Sequence, residues 1–203
     1  MILNKFNMQF IIIFLAVLIW SGINPKDQFT WFLEVVPAII GVLILIGIYH
    51  KFKFTHFTCI WILIHSIILM VGGHYTYAEV PLFDTISQIM GWERNNYDKV
   101  GHFAQGFIPA AIAMEVFTRN KTINSQAWLN VLVVTFCLAI SAFYELIEWW
   151  VAIAIGQGAD EFLGTQGYIW DTQSDMFMAL IGAICFVLFF KKIQSSQIQE
   201  LSY

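Results

Sequence analysis

Apolar residues along this chain fall into six long runs, and most polar residues lie in the short segments between them. The runs cover 6–23, 31–49, 57–71, 100–117, 127–155 and 171–190. Each is close to the roughly 20 apolar residues that an α-helix needs to cross a bilayer core. The pattern therefore predicts an all-α, polytopic membrane helix bundle with about six transmembrane helices, built as a single integral membrane domain over 1–203. The third run is short, and Pro37 and Pro109 interrupt the second and fourth, where a membrane bundle tolerates a kink. The fifth is long enough to tilt or to continue past the bilayer. No small-residue cleavage pattern follows the first run, and Asn24-Pro25-Lys26 reads as a turn, so the first run is expected to be a retained span.

Composition agrees, since 59% hydrophobic, 17% aromatic and only 12% charged residues lie outside the range of an ordinary soluble domain. Charge then orients the bundle. With the N-terminus inside, the cytoplasmic segments hold Lys5, Lys51, Lys53, Arg119, Lys121, Lys191 and Lys192, and the outer segments hold Lys26, Arg94 and Lys99. That asymmetry predicts an N-in, C-in topology by the positive-inside rule. The two longest loops, around 73–97 and 156–170, then face outward and carry Glu79, Asp84, Glu93, Asp160 and Glu161. A net charge of −4 with no basic patch argues against a nucleic-acid partner and leaves membrane lipids as the expected one. Cys59, Cys137 and Cys185 sit in apolar runs without CxxC spacing and read as small buried hydrophobes.

The exceptions to the apolar pattern carry the chemistry. A charge at a helix centre in hydrocarbon costs about 2.5 to 3.5 kcal/mol on insertion scales, so it is a functional hypothesis by default. Asp98, His102 and Gln105 share one stripe of the fourth span, and Ser141, Glu145 and Glu148 share one on the fifth. The sixth span opens with Trp170 and Asp171 and places Asp175 one turn later. Ahead of it, the glycines of 162–168 suit a re-entrant turn around Gln166. The third span ends in His74-Tyr75-Thr76-Tyr77. In the predicted topology all four clusters reach one membrane face.

The pieces His74-Tyr75-Thr76-Tyr77, Asn96-Tyr97-Asp98-Lys99-Val100-Gly101-His102-Phe103-Ala104-Gln105, Tyr144-Glu145-Leu146-Ile147-Glu148-Trp149 and Gly164-Thr165-Gln166-Gly167-Tyr168-Ile169-Trp170-Asp171-Thr172-Gln173-Ser174-Asp175 resemble those of the YjdF family of bacterial inner-membrane proteins. The likeness spans nearly the whole chain. More distantly, the Asp98-Lys99 entry with His102-Phe103, the mid-helix glutamate and the late aspartate resemble the VanZ-like membrane proteins, whose named member is associated with resistance to a glycopeptide antibiotic. The resemblance implies a multi-pass fold in the cell inner (cytoplasmic) membrane and no particular reaction.

The expected function is an inner-membrane protein with an outward-facing acidic and histidine pocket that binds or processes a lipid or a lipid-linked envelope molecule. In the enzymatic version, a metal-assisted hydrolase or transferase acting on a lipid, Asp98, His102, Glu145, Glu148, Asp171 and Asp175 form the catalytic set. His74, Tyr77, Gln105, Gln166 and Trp170 line the substrate. The excess of carboxylates over nearby Lys99 and Arg94 needs protons or a divalent cation, and His102, Glu145, Glu148 and Asp175 are suitable ligands for Mg²⁺, Mn²⁺ or Zn²⁺. Two other classes compete: a small proton-coupled carrier in which the same carboxylates titrate, and a non-catalytic membrane factor held together by its polar cluster. Asp98 and Asp171 also suit plain helix caps, and Lys99 reads as a side chain snorkelling to the headgroups. Trp20, Trp31, Trp61 and Trp128 read as interfacial belt residues.

The charge asymmetry is open to direct measurement. A membrane-impermeant thiol reagent applied from outside should modify a cysteine placed at Ile86 or Asp160 and spare one at Lys121; the reverse labelling would put the polar cluster on the cytoplasmic face.

Overall fold

A computed structural model of the chain describes residues 5–156 and 165–201. Among them the helices are α1 (Lys5–Ser21), α2 (Gln28–Ile48), α3 (His56–His74), α4 (Pro81–Met90), α5 (Tyr97–Arg119), α6 (Gln126–Ile155), α7 (Asp171–Cys185) and α8 (Lys191–Glu200). A π-helical turn, Phe186–Phe190, carries α7 into α8. No strand occurs among the described residues. Hydrocarbon offers no partner to a free backbone N–H or C=O, so even the β-branched stretch Ile11-Ile12-Ile13 is helical.

Among the described residues, five helices are long and apolar enough to cross a membrane: α2, α3, α5, α6 and the continuous 171–200 helix. The apolar α1, at 17 residues, is shorter, spanning about 26 Å at 1.5 Å per residue. Two elements differ from the sequence expectation. The sixth run does not stop at 190 but continues as helix to Glu200. Within the region read as an outer loop lies α4, whose ten residues escape any search for a 20-residue apolar run. Its local signals are Pro81 in the first turn and Gly91 beyond the end at φ +68, the usual asymmetry of helix start and stop. Asp160, Glu161 and the first part of the 162–168 turn lie outside the described residues.

The chain divides into two compact units: Met1–Lys53 with Ile62–Asp98, and Phe54–Trp61 with Lys99–Tyr203. The first unit packs Phe14 of α1, Val35, Ala38 and Val42 of α2 and Met70 of α3 into one core. Its α1–α2 turn is fixed by polar contacts. Asp27 caps α2 by accepting from the Thr30 amide at 2.6 Å, which holds its carboxyl below the ordinary range. Next to it, the Lys26 amide donates to the His74 carbonyl at 3.0 Å. A second core forms from Tyr77, Val80 and Tyr97. Asn95 ties α4 to this core by donating to the Val80 carbonyl at 3.0 Å and to Asp84 at 2.7 Å.

In the second unit α6 packs along α7, and small residues let α5 approach α7 backbone to backbone. A Cβ added at Gly106 would overlap the Ala179 backbone, and one at Gly182 would overlap the Phe103 carbonyl. Such contacts are how membrane helices gain van der Waals area when lipid removes the hydrophobic drive between them. Beside this seam Phe107 meets Trp61, Phe186 and Phe190 at centroid distances of 4.5, 5.5 and 5.0 Å. Trp61 is thus a packing residue and not the belt residue its sequence position suggested. The cysteines are free, and Cys137 is buried.

At the far end of α5, Glu115 is fully buried and accepts from the Thr55 amide at 2.9 Å, from the Thr55 and Thr58 hydroxyls at 2.8 and 2.6 Å, and from Arg119 at 2.9 Å. Gln194 of α8 donates to Thr58 and to the Ala111 carbonyl at 2.8 and 2.6 Å, and Gln197 accepts from the Phe57 amide at 2.9 Å. The carboxylate and Gln197 thereby satisfy amides at the start of α3 that no intrahelical carbonyl can reach.

The seam predicts a sharp contrast between two glycines. Gly106→Ala should lower the melting temperature of the full-length protein by about 2–12 °C, from an overpacking cost of about 1–3 kcal/mol. Gly41→Ala, where a Cβ meets nothing within 4 Å, should leave it unchanged or raise it, because alanine favours helix.

Candidate functional site

Three helices of the second unit bring their polar stripes together. Lys99 enters from the first turn of α5, and its ammonium lies 2.8 Å from Asp171 Oδ1 and 2.5 Å from Asp175 Oδ1, both on α7. The aspartates are one helical turn apart, so a single cation spans them. Lys99, Asp171 and Asp175 side chains are only 14, 8 and 4% exposed. Lys99 therefore does not snorkel to the headgroups: its charge is spent inside the bundle. The Tyr168 ring, 5.9 Å from the ammonium, adds a cation–π contact on its remaining side.

One turn deeper on α5, His102 stands between two carboxylates. Its Nε2 is 3.8 Å from Asp175 Oδ2 and its Nδ1 is 3.9 Å from Glu145 Oε1 of α6. Nδ1 also lies 3.1 Å from Gln105 Oε1, so a proton on Nδ1 donates to Gln105 and leaves Nε2 facing Asp175. Asp175 is the hinge of the arrangement, with one oxygen on Lys99 and the other toward His102. One turn before Glu145, Ser141 is fully buried, and its hydroxyl has no hydrogen-bond partner among the described residues. Buried hydroxyls are nearly always bonded. This one keeps its donor and lone pairs uncommitted.

The remaining candidates are distributed as follows. Glu148 sits one turn beyond Glu145 on α6 and is half-buried. Asp98 stands one turn before His102 on α5 and pairs with Arg94 at 3.6 Å. His74 belongs to the first unit, where its Nδ1 meets the Ser21 carbonyl at 2.9 Å and its ring packs on Trp20 and Tyr75. Tyr77 covers Gly72 in the same unit, at φ +56, leaving no room for a Cβ there. Both make these contacts within the first unit. Gln166, at φ +48, and Trp170 are exposed in the turn that leads into α7. Missed entirely by sequence reasoning was the bridging role of Lys99, although its position three residues before His102 places both on one helical stripe.

Two carboxylates and an imidazole suit a divalent cation by donor type. Ligand atoms sharing an ion at bonds of about 2.1 Å lie about 3.4 Å apart around a tetrahedral ion and about 3 Å apart around an octahedral one. His102 Nδ1 is 3.9 Å from Glu145 and Nε2 is 3.8 Å from Asp175, so either pair would draw inward by about 0.4–0.9 Å to share an ion, and one ion would take only one of the two ring nitrogens. The Asp171–Asp175 pair already has its cation in Lys99. Glu145, Asp171 and Asp175 thus gather with one ammonium and one imidazole, an arrangement in which the imidazole can hold and pass a proton.

Residues 6–196 match the family described as "Predicted membrane protein (DUF2238)". The chain is similar to the inner membrane protein YjdF of Escherichia coli (strain K12), with 48% identity over 184 residues that cover 91% of this chain and 88% of that protein. No solved structure matches it. The VanZ-like likeness finds no support in either match.

Removing the bridging cation should leave two buried aspartates in mutual repulsion. Lys99→Met should destabilise the full-length protein by about 3–5 kcal/mol, read as loss of melting temperature in detergent. Combining it with Asp171→Asn and Asp175→Asn should recover much of the loss. A Lys99→Met protein as stable as the wild type would show that the ion pair does not hold α5 to α7.

Proposed function

The chain belongs to the DUF2238 family of predicted membrane proteins and is a multi-pass protein of the inner membrane, and from that premise we propose that it binds the polar head of a lipid or lipid-linked envelope molecule at the His102 cluster and performs proton-assisted hydrolysis or group transfer on it. The observation that carries this reading is the two-sided environment of His102, flanked at 3.8 and 3.9 Å by Asp175 and Glu145. An imidazole held this way can take a proton from one side and deliver it on the other, the requirement for general acid–base work. Lys99 locks Asp171 and Asp175 in place, so Asp175 presents its second oxygen to the ring. Ser141 offers a hydroxyl to the ligand, and Trp170 and Gln166 stand exposed in the turn that leads into α7. In this reading Glu148, half-buried one turn beyond Glu145, and Gln105 serve as further polar groups for the ligand; a divalent cation would draw on one ring nitrogen of His102 with either Asp175 or Glu145.

The same observation favours a second reading, a small proton-coupled carrier, because a carboxylate–imidazole–carboxylate relay also moves protons without chemistry on a lipid. One comparison separates the two. The full-length wild type, His102→Gln and Asp175→Asn are purified, incubated with an inner-membrane lipid extract, and read by lipid mass spectrometry; the same proteins in liposomes are read for proton flux. A lipid retained or converted by the wild type and lost in both variants supports the lipid site, with elemental analysis of the same samples reading any metal. Proton flux lost in both variants, with no lipid effect, supports the carrier. Neither signal would leave the cluster a structural device.

A further inference from the structure

The opposite end of the second unit carries a feature that the His102 cluster does not use. A cavity of about 250 Å³ opens where α5 ends, α6 begins and α8 passes, lined among others by Thr118, Gln126, Lys191, Lys192, Ser195 and Ser196. Thr118 lies 19 residues beyond Lys99 on α5, about 28 Å along the helix axis. The two sites therefore lie near opposite ends of one membrane-spanning helix.

Each of the six named side chains carries a hydrogen-bond donor, with the Ser195 and Ser196 hydroxyls turned to the Lys191 and Ile193 carbonyls at 2.7 and 2.8 Å; two of the six are positively charged, and no carboxylate lines the cavity among the described residues. The Lys191 ammonium is positioned by Asn130 at 3.1 Å, and Gln126 opens the 30-residue α6, whose amino end adds partial positive charge. Of the acids on the same helices, Asp98, Glu145 and Glu148 stand at the other ends of α5 and α6, Glu115 is engaged by Arg119 and two threonines, and Glu200 ends α8. The ligand this surface fits is an oxyanion.

Its position specifies the anion further. Leu188 and Phe189, one residue before the lysine pair, are 66 and 69% exposed, and Ile193 and Trp128 nearby on α8 and α6 are exposed as well. Apolar side chains of this kind face acyl chains, and the abrupt change to Lys191-Lys192 marks headgroup depth. The volume equals about eight waters, room for a phosphodiester with part of its glycerol and more than a bare ion needs. We propose that this cavity binds the phosphate of an anionic phospholipid headgroup, with Lys191 and Lys192 as its cations and the Thr118 hydroxyl as a donor, joined by Ser195 and Ser196 as their hydroxyls turn from the Lys191 and Ile193 carbonyls.

The test uses the full-length protein in detergent, with native mass spectrometry reading bound phosphatidylglycerol, phosphatidylcholine and inorganic phosphate. The wild type should retain phosphatidylglycerol in preference to phosphatidylcholine. K191Q/K192Q should weaken retention about thirtyfold, at about a fivefold loss for each lysine, whereas K51Q/K53Q, which removes two lysines of the first unit, should not. S195A/S196A, which keeps every charge, should weaken it several-fold and covers the case in which the lysine variant folds poorly. Equal retention of both lipids, unchanged retention in K191Q/K192Q and S195A/S196A, or equal loss in K51Q/K53Q would overturn the proposal. Displacement of the lipid by millimolar inorganic phosphate would overturn it too, by assigning the cavity to free phosphate. His102 takes no part, so failure here leaves the His102 reading untouched.

Discussion

The close approach of α5 to α7 is the constraint on which the second unit depends. Gly106 against Ala179 and Gly182 against Phe103 bring two backbones nearer than any side chain would permit. Every longer-range contact between these helices is measured from that seam. Lys99 reaches both aspartates because α7 begins beside the start of α5, and α8, continuing from α7, carries Gln194 to the Ala111 carbonyl. A membrane interior gives little hydrophobic drive for helices to associate, so shape and buried polar contacts must do it.

The polar groups divide into two sets with different electrical logic. At the Glu115 end, one carboxylate is surrounded by donors: two hydroxyls, an amide and a guanidinium. That set is saturated and reads as a structural clasp on the start of α3. At the Lys99 end, carboxylates outnumber cations and an imidazole is held between two of them, with a buried hydroxyl left over on the Glu145 stripe. Titratable groups gathered inside a membrane bundle are costly and are a functional hypothesis by default. The contrast between the two ends is why the proposed function is assigned to His102 and a structural role to Glu115.

The α4 segment shows the same economy in the first unit. Its ten residues are tied down through Asn95, Asp84 and Ser87, while Leu82, Ile89 and Met90 are exposed. A helix too short to span and apolar on one side is suited to lie along the membrane interface.

How much could be read in advance follows from which signals are local. Span hydropathy is local: each helix must satisfy its own backbone in hydrocarbon, so the runs ending near Ser21, Ile48, His74, Arg119 and Ile155 were visible in the sequence within a few residues, and the multi-pass class with them. Helical periodicity is local too, and it placed His102 with Gln105, Glu145 with Ser141 and Asp171 with Asp175 on common stripes. The sequence by itself therefore determined the class of fold and which side chains share a helix face. Which stripes face one another is not local. That Lys99 would bridge Asp171 and Asp175, that Glu115 would cap α3 through Thr55 and Thr58, and that Trp61 would pack on Phe107 were decided by tertiary structure alone, because each depends on the rotation and spacing that the glycine seam and its neighbours impose between helices far apart in the chain; that His74 would settle against Ser21 was likewise decided by packing within the first unit.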